Sequence, residues 1–316
     1  MRVLITGVGG FVGLRLARHL LARGDRVSGT WIDGKPASLA ADGVELHEAD
    51  VLDRAALERA VLASSPDAIV NLAGLSHIGE SWDWRRMSDY FWVNVAGTEN
   101  VLAAAAACGH PRVVIASSAD VYGQVPESEQ PIPESRPVAP QTPYALTKAA
   151  AERIALAGSA LAGEPNDAVI VRSFNLVGPG QAPKFALSSW AAQLAAIRRG
   201  ERPPVLEVGD LSTARDFIHV DDGAEAYRRL AETGERGGVY NLASGHAVTL
   251  RDALARLLRI SGVEAEVKEG AFAPRPFDIP HLCGDAGRLR ALGWTPTRTL
   301  DDALADIWAD IWREAP

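Results

Sequence analysis

Arg2-Val3-Leu4-Ile5-Thr6-Gly7-Val8-Gly9-Gly10-Phe11-Val12-Gly13 opens the chain as a short apolar run passing straight into glycines at 7, 10 and 13. From Leu14 to Arg23 the apolar residues return at helical spacing, so the glycines occupy a turn between a buried strand and a helix. Glycines there let backbone approach a pyrophosphate and aim helix N–H groups at it. A GxxGxxG triplet alone also serves as a plain turn; at the N-terminal end of a strand–turn–helix it points to a bound dinucleotide.

Outward from that turn, strand-like and helix-like segments alternate. Strands are expected at 2–6, 26–31, 44–48, 68–72, 112–117 and 168–173, with helices at about 11–23, 53–63, 83–107 and 143–162. Apolar strands separated by amphipathic helices imply a Rossmann-type doubly wound parallel sheet, an α/β fold whose ligands collect at the carboxyl ends of the strands. Gly7, Asn71, Ser118 and Asn175 all fall at such ends. After Val177 the texture changes to Gly178-Pro179-Gly180-Gln181 and then to mixed, proline-rich segments. Residues 1–177 are therefore expected to form the dinucleotide-binding domain, with 217–233 returning to it. Residues 178–316 form mainly a smaller mixed α/β substrate-binding region.

Tyr144 and Lys148 stand one helical turn apart, on one face of a helix that Thr142 caps and Pro143 starts. An ammonium so placed favours phenolate, so the spacing predicts a Tyr144 pKa below the usual value of about 10 and a side chain able to exchange a proton near neutral pH. The plain alternative is a surface Tyr and Lys on an alanine-rich helix.

The 316 residues are 47% hydrophobic, long enough for one large domain or two modest ones, and the net charge is −8. No basic stripe suggests a nucleic-acid partner. Neither of the two cysteines, Cys108 and Cys283, lies in a ligand spacing, and the seven histidines form no HExxH pair, so no metal is expected. Met1-Arg2 runs directly into the first strand and no apolar stretch reaches membrane-spanning length. The expectation is a cytoplasmic protein without a membrane partner.

With these pieces in place the chain resembles the extended short-chain dehydrogenase/reductase family over nearly its whole length. The matching motifs are GVGGFVG at 7–13, Asp50-Val51, NLAG at 71–74, SSADVYG at 117–123, YALTK at 144–148 and RSFNLVGPG at 172–180. RDFIHVDD at 215–222, Arg275-Pro276 and Leu292-Gly293-Trp294-Thr295-Pro296 also match, and these are characteristic of members acting on nucleotide-linked sugars. Within the family, VYGQ at 121–124, FNLVGPGQ at 174–181, LEVGDLSTARDF at 206–217 and VYNLASG at 239–245 are similar to the GDP-4-keto-6-deoxy-D-mannose reductases, which form GDP-D-rhamnose.

The resemblance implies catalytic roles for Ser118, Tyr144, Lys148 and Asp120. Tyr144 would supply a proton to the oxygen at sugar C4 as hydride arrives, Lys148 would tune that phenol, and Ser118 would hydrogen-bond the same oxygen. Ser117 competes for the serine's role. Asp120 falls where related 4,6-dehydratases carry a glutamate base, usually after an aspartic acid; here the pair is Ala119-Asp120, with the acid absent and the base one methylene shorter. Ser76 and His77 lie in phrasing shared with those dehydratases, though a loop histidine bonding backbone explains His77 as well.

Cofactor contacts implied by the family are Gly7, Gly10, Phe11, Val12, Gly13, Trp31, Lys35, Asp50, Val51, Leu72, Ala73, Gly74, Asn94, Ser117, Tyr144, Lys148 and Phe174. Asp50 equally suits a turn, and Asn94 steadies neighbouring backbone. Ser76, His77, Ser118, Asn175, Gln181, Arg215 and Arg275 would meet the nucleotide-sugar substrate, GDP-linked by preference, the arginines on its diphosphate. Trp31 stands where NAD users carry an acid, and Lys35 can pair with a 2′-phosphate. NADP(H) is therefore favoured, with NAD(H) an alternative. A 4-epimerase would carry the same Ser/Tyr/Lys set, and a non-catalytic dinucleotide sensor is the reading from another class. The family expectation is a homodimer paired through the long helices before and after Ser118, where the small residues Ala103 to Ala107 admit close approach.

Overall fold

The structure, a computed structural model, describes residues 1–161, 167–272 and 276–313. Its strands in chain order are β1 (Arg2–Thr6), β2 (Arg26–Trp31), β3 (Glu45–Glu48), β4 (Ala68–Asn71), β5 (Arg112–Ser118), β6 (Ala168–Ser173), β7 (Asn175–Val177), β8 (Val205–Glu207), β9 (Ala214–His219), β10 (Val239–Leu242), β11 (Ala247–Thr249), β12 (Glu266–Lys268) and β13 (His281–Leu282). The helices are α1 (Phe11–Ala22), α2 (Ala37–Ala41), α3 (Arg54–Ser64), α4 (Ile78–Ser81), α5 (Met87–Phe91), α6 (Gly97–Ala107), α7 (Pro143–Leu161), α8 (Ala186–Arg198), α9 (Val220–Thr233), α10 (Leu250–Ser261), α11 (Gly287–Ala291) and α12 (Leu300–Arg313).

Seven strands pair in the order β10-β6-β5-β4-β1-β2-β3, and every pairing is parallel. The two-residue alternation of strand side chains feeds two separate cores. Val3 and Ile5 pack with Leu16 and Leu20 of α1 and with Tyr227 and Leu230 of α9. Leu4 and Ile69 face the other way, against Leu57 of α3, Val101 and Leu102 of α6 and Ala155 of α7. A third core, around Trp190 and Leu194 of α8, Leu254 and Leu257 of α10 and Leu304 and Ile307 of α12, belongs to the C-terminal region.

The chain re-enters the main layer after its excursion. Helix α9 packs along α1, where Arg15 grips both oxygens of Asp221 at 2.7 and 2.8 Å and His19 lies 2.9 Å from Glu225. Strand β10 then hydrogen-bonds to β6 and forms the sheet's edge, whereas the sequence pattern places 239–242 in the substrate region. Four residues between Gly238 and Ala243 carry too little pattern to declare a strand.

The helix expected over 83–107 is subdivided. Asp83 accepts from the Arg85 N–H in a local turn, α5 begins at Met87, and a π-helical segment, Trp92–Ala96, precedes α6. Within it Asn94 turns its amide onto the Leu75 backbone, accepting from its N–H at 2.9 Å and donating to its carbonyl at 3.0 Å. A π segment of this kind re-aims a side chain at a helix's expense. No helix among the described residues is long and apolar enough to cross a membrane.

Glu225 tests the α1–α9 contact. Burial pushes its pKa up, but hydrogen bonds from Arg228, His19 and Arg229 outweigh this and hold it down to about 2, against 4.5 for a free glutamate. Its stabilisation is therefore complete above pH 4.5 and disappears as pH falls through about 2. One pKa unit is linked to about 1.4 kcal/mol, and solvent screening takes a share at a partly exposed site. Glu225→Gln should then lower unfolding free energy by about 2–3 kcal/mol at pH 7. In urea titrations the gap to the parent should narrow steadily between pH 5 and pH 3.

Candidate active site

The strand-to-helix turn has the form the sequence implied. Gly7 adopts a left-handed φ of 65°, and a side chain there would meet the Ala73 Cα at 2.9 Å. A side chain on Gly13 would lie 2.7 Å from the Gly7 carbonyl oxygen. These contacts draw α1, β1 and the end of β4 together at a spacing only glycine permits. Gly9 and Gly10 are exposed, and α1 starts with no side-chain cap and no acidic residue in its first turn. Its first N–H groups face an open cradle that suits a phosphate.

That cradle adjoins the Tyr/Lys helix. A Cβ on Gly74 would lie 3.3 Å from the Lys148 Nζ and 3.0 Å from the Asn94 Oδ1. Gly7 touches Ala73, the next residue touches Lys148, and so sites far apart in the chain share one crevice at the carboxyl edge of the sheet. Thr142 caps α7 by accepting from the Ala145 N–H at 3.0 Å, and Thr147 receives a hydrogen bond from Asn94.

Tyr144, Ser118 and Lys148 are buried, at 7%, 6% and 9% exposure. Ser118 ends β5 and donates from Oγ to Asp120 Oδ2 at 2.8 Å. Lys148 donates to the Ala116 carbonyl at 2.8 Å, and burial pushes its pKa down to about 8 against the opposing pull of Glu152. The expected lowering of the Tyr144 pKa is overturned: it is raised, first by burial and then by the Asp120 carboxylate, while the nearby Ser118 hydroxyl opposes. Spacing placed the ammonium on the right face, but its proton is turned to a strand carbonyl, and desolvation outweighs its field.

Ser117 and Ser118 point to opposite sides of β5, which decides between them. The Ser117 hydroxyl donates to Glu152, and Glu152 in turn binds Arg172 through both oxygens, at 3.0 and 2.8 Å. Arg172 also donates to the Tyr122 phenol at 3.0 Å, and that phenol donates to Asn241 at 2.7 Å. This buried network fixes α7 to β5, β6 and β10 one turn beyond Lys148. Sequence reading assigned nothing to Glu152 or Arg172. The available signals were the i+4 step from Lys148 and a charge inside an apolar strand.

Several other expected site residues are engaged elsewhere. Phe174 has its ring in the core, where a side chain on Gly284 would strike it at 2.4 Å. Val51 packs against Gly97, and Asp50 accepts from the Leu52 N–H at 2.9 Å as a turn residue. His77 accepts from the Glu80 N–H at 3.0 Å with its ring edge-on to Phe185. Gln181 donates to the Leu176 carbonyl and accepts from Ser188.

Phe11, Val12, Trp31, Leu72 and Ala73 are partly exposed about the cradle, and Lys35 and Ser76 are exposed. Asn175 lies in β7 opposite Phe217, two residues along β9 from Arg215. Arg215 forms an ion pair with Asp278 at 2.6 Å. Arg275 lies outside the described residues.

A glycine cradle beside a buried Ser/Tyr/Lys group defines a dinucleotide-dependent enzyme of the extended short-chain type. The chain belongs to the NAD dependent epimerase/dehydratase family, whose model matches residues 3–243. It is 34% identical to the GDP-6-deoxy-D-mannose reductase of Pseudomonas aeruginosa, across 98% of this chain and 96% of that protein. Among solved structures it is similar to RMD from Pseudomonas aeruginosa complexed with NADPH, with a TM-score of 0.85 and 33% identity over 100% of both chains. The Thermus thermophilus UDP-glucose 4-epimerase complex with NAD gives a TM-score of 0.87 and 29% identity over 100% of both.

The Glu152–Arg172 pair offers a direct check on this scaffold. Glu152→Ala strands a buried guanidinium and should lower unfolding free energy by about 3–5 kcal/mol in urea titrations. Adding Arg172→Met should restore much of that loss, because the second change removes the unpaired charge.

Proposed function

We propose that the protein reduces the C4 ketone of a nucleotide-linked 4-keto-6-deoxyhexose with a reduced nicotinamide cofactor, converting GDP-4-keto-6-deoxy-D-mannose to GDP-D-rhamnose. The observation that carries this reading is the buried Tyr144, protonated at rest and grouped with buried Ser118, beside the cradle that Gly7, Ala73 and Gly74 join to Lys148. Likeness to the Pseudomonas aeruginosa GDP-6-deoxy-D-mannose reductase supports the choice of substrate.

The cradle fits a dinucleotide, since exposed Gly9 and Gly10 and the uncapped start of α1 offer N–H groups to a pyrophosphate. Gly7, Gly10 and Gly13 would hold it, with Trp31 and Lys35 near the adenosine ribose. The cofactor supplies hydride to the sugar's C4. The chain supplies the proton: Tyr144 donates its phenolic hydrogen to the C4 oxygen, and Ser118 orients that oxygen. Lys148, held by the Ala116 carbonyl, lends positive charge to the phenolate left behind. Arg215, now paired with Asp278, is the candidate partner for the diphosphate, beside Asn175. NADP(H) is favoured because no acidic side chain occupies position 31 and the similar reductase structure holds NADPH. NAD(H) is the alternative, as in the epimerase structure.

The dehydratase alternative is disfavoured by Ala119 in place of an acid and by Asp120, whose carboxylate is already engaged with Ser118. An epimerase would regenerate its own cofactor. Incubation with GDP-4-keto-6-deoxymannose should consume reduced cofactor one-for-one with GDP-rhamnose identified by NMR, whereas product without net cofactor oxidation contradicts the reading. Tyr144→Phe should lose roughly 100-fold or more in turnover, the usual scale for a proton donor, with cofactor affinity nearly unchanged by fluorescence titration.

A homodimer accords with the exposed Trp84, Met87, Phe91 and Trp92, at 75%, 47%, 48% and 55%, on and beside α5. Contiguous apolar exposure of this kind marks a contact surface. The expected alanine run contributes less, since Ala104 and Ala105 are spent in the monomer's own core. Light scattering should give twice the 33.6 kDa chain mass, and Phe91→Asp with Trp92→Asp should give the monomer. The free thiols Cys108 and Cys283 suit the expected cytoplasmic location.

A further inference from the structure

We propose that Asp216 is a positioning residue, which holds Arg215 at the fixed distance from Ser118 that the diphosphate of a nucleotide sugar requires. The inference rests on the reductase reading and deepens it, by naming what keeps the two ends of the substrate site in relation. A nucleotide sugar anchored through its diphosphate is presented to Ser118 and Tyr144 only if the anchor and the reacting edge of the sheet keep one spacing.

Asp216 is fully buried, at 0% exposure, and donors surround its carboxylate. Oδ1 accepts from the Ser244 N–H at 2.8 Å and from the Ser244 hydroxyl at 2.6 Å. Oδ2 accepts from the Gly245 N–H at 3.0 Å and the Gly284 N–H at 3.2 Å, with the Cys283 thiol at 3.9 Å. Gly245 takes a left-handed φ of 90°, and two successive N–H groups converge on one anion. Hydrogen bonds to a charged acceptor are stronger than neutral ones. An asparagine here would turn an amide NH₂ toward backbone N–H groups and lose that grip.

These contacts tie β9 to the main sheet. Ser118, Ser173 and Leu242 stand side by side in register at the carboxyl ends of β5, β6 and β10. Two residues past Leu242, Ser244 and Gly245 hold Asp216, and Arg215 directly precedes it. Alternation along β9 turns Arg215 to the opposite face, where it is partly exposed while Asp216 is enclosed. Gly284 supplies a second tie. It follows β13, which pairs with β9, and it lies so close to the Phe174 ring, next to Ser173, that a Cβ would be 2.4 Å away. One buried carboxylate thus joins the edge that carries Ser118 to the strand that carries Arg215.

A preorganised arm binds more tightly than one that must be ordered on binding. The experiment is calorimetric titration of the whole enzyme, loaded with NADPH, with GDP as the probe. Arg215→Ala should weaken GDP by about 10- to 100-fold, the scale of a charged hydrogen-bonded contact. Asp216→Asn should weaken it by about tenfold alone, and by no more than about twofold once Arg215→Ala is present. With GDP-4-keto-6-deoxymannose, Asp216→Asn should raise KM by about tenfold and keep most of kcat. Its NADPH affinity by fluorescence should match the parent's. If Asp216→Asn is too unstable to purify, Ser244→Ala carries the test, because it leaves the three backbone donors in place. It should weaken GDP about threefold, again only while Arg215 is present.

GDP affinity at the parent's level in any single variant would overturn the proposal. So would losses that multiply with that of Arg215→Ala, or NADPH affinity falling in step with GDP affinity, since a merely structural carboxylate would give those results. A parent enzyme that binds GDP but leaves the ketone unreduced contradicts the functional reading alone.

Discussion

The site depends on burying a phenol and an ammonium together against one strand carbonyl. Lys148 reaches the Ala116 carbonyl from the second turn of a helix whose register Thr142 and Pro143 set. Removed from water, its ammonium is pushed down to about 8, while the neighbouring phenol is pushed up. Desolvation acts oppositely on the two groups because it disfavours whichever form is charged. The result is a phenol that stays protonated until charge develops beside it. A ketone oxygen gaining negative character supplies that charge, and the buried ammonium is placed to stabilise the phenolate that follows. Proton donation is thereby tied to the chemical step rather than to bulk pH.

Such burial is tolerable only in a rigid setting. Glu152, Arg172, Ser117, Tyr122 and Asn241 form a continuous set of hydrogen bonds that joins α7 to three strands. On the opposite side, Asn94 pins the Leu75 backbone and Thr147 through a π segment. Gly74 passes between these two supports, where a side chain would crowd the Asn94 Oδ1 at 3.0 Å and the Lys148 Nζ at 3.3 Å. The polar core and the glycine contacts therefore serve one purpose, which is to keep the cradle and the proton donor in fixed relation.

Most of the architecture was legible in the chain because its signals are local. Glycines at 7, 10 and 13, apolar strand runs and the Thr142-Pro143 helix start each report backbone geometry within a few residues. The Tyr144–Lys148 pair was legible for the same reason, since helical spacing fixes a shared face. What escaped was set by three-dimensional surroundings. The pKa of Tyr144 depends on desolvation and on Asp120, neither visible in spacing. The Phe174 ring lies in the core, a direction that its place in a motif does not reveal. Strand β10 was hidden by its shortness, and the Glu152–Arg172 pair joins residues whose partnership exists only once α7 lies on β6.

The reductase reading is tested most directly by following hydrogen isotopes from the cofactor into the sugar. With NADPH carrying deuterium at the transferable position of the nicotinamide, one deuterium should appear at C4 of the product, on a single face, with none at C5. Deuterium at C5, or an unlabelled C4 in a product formed without net oxidation of the cofactor, would contradict it.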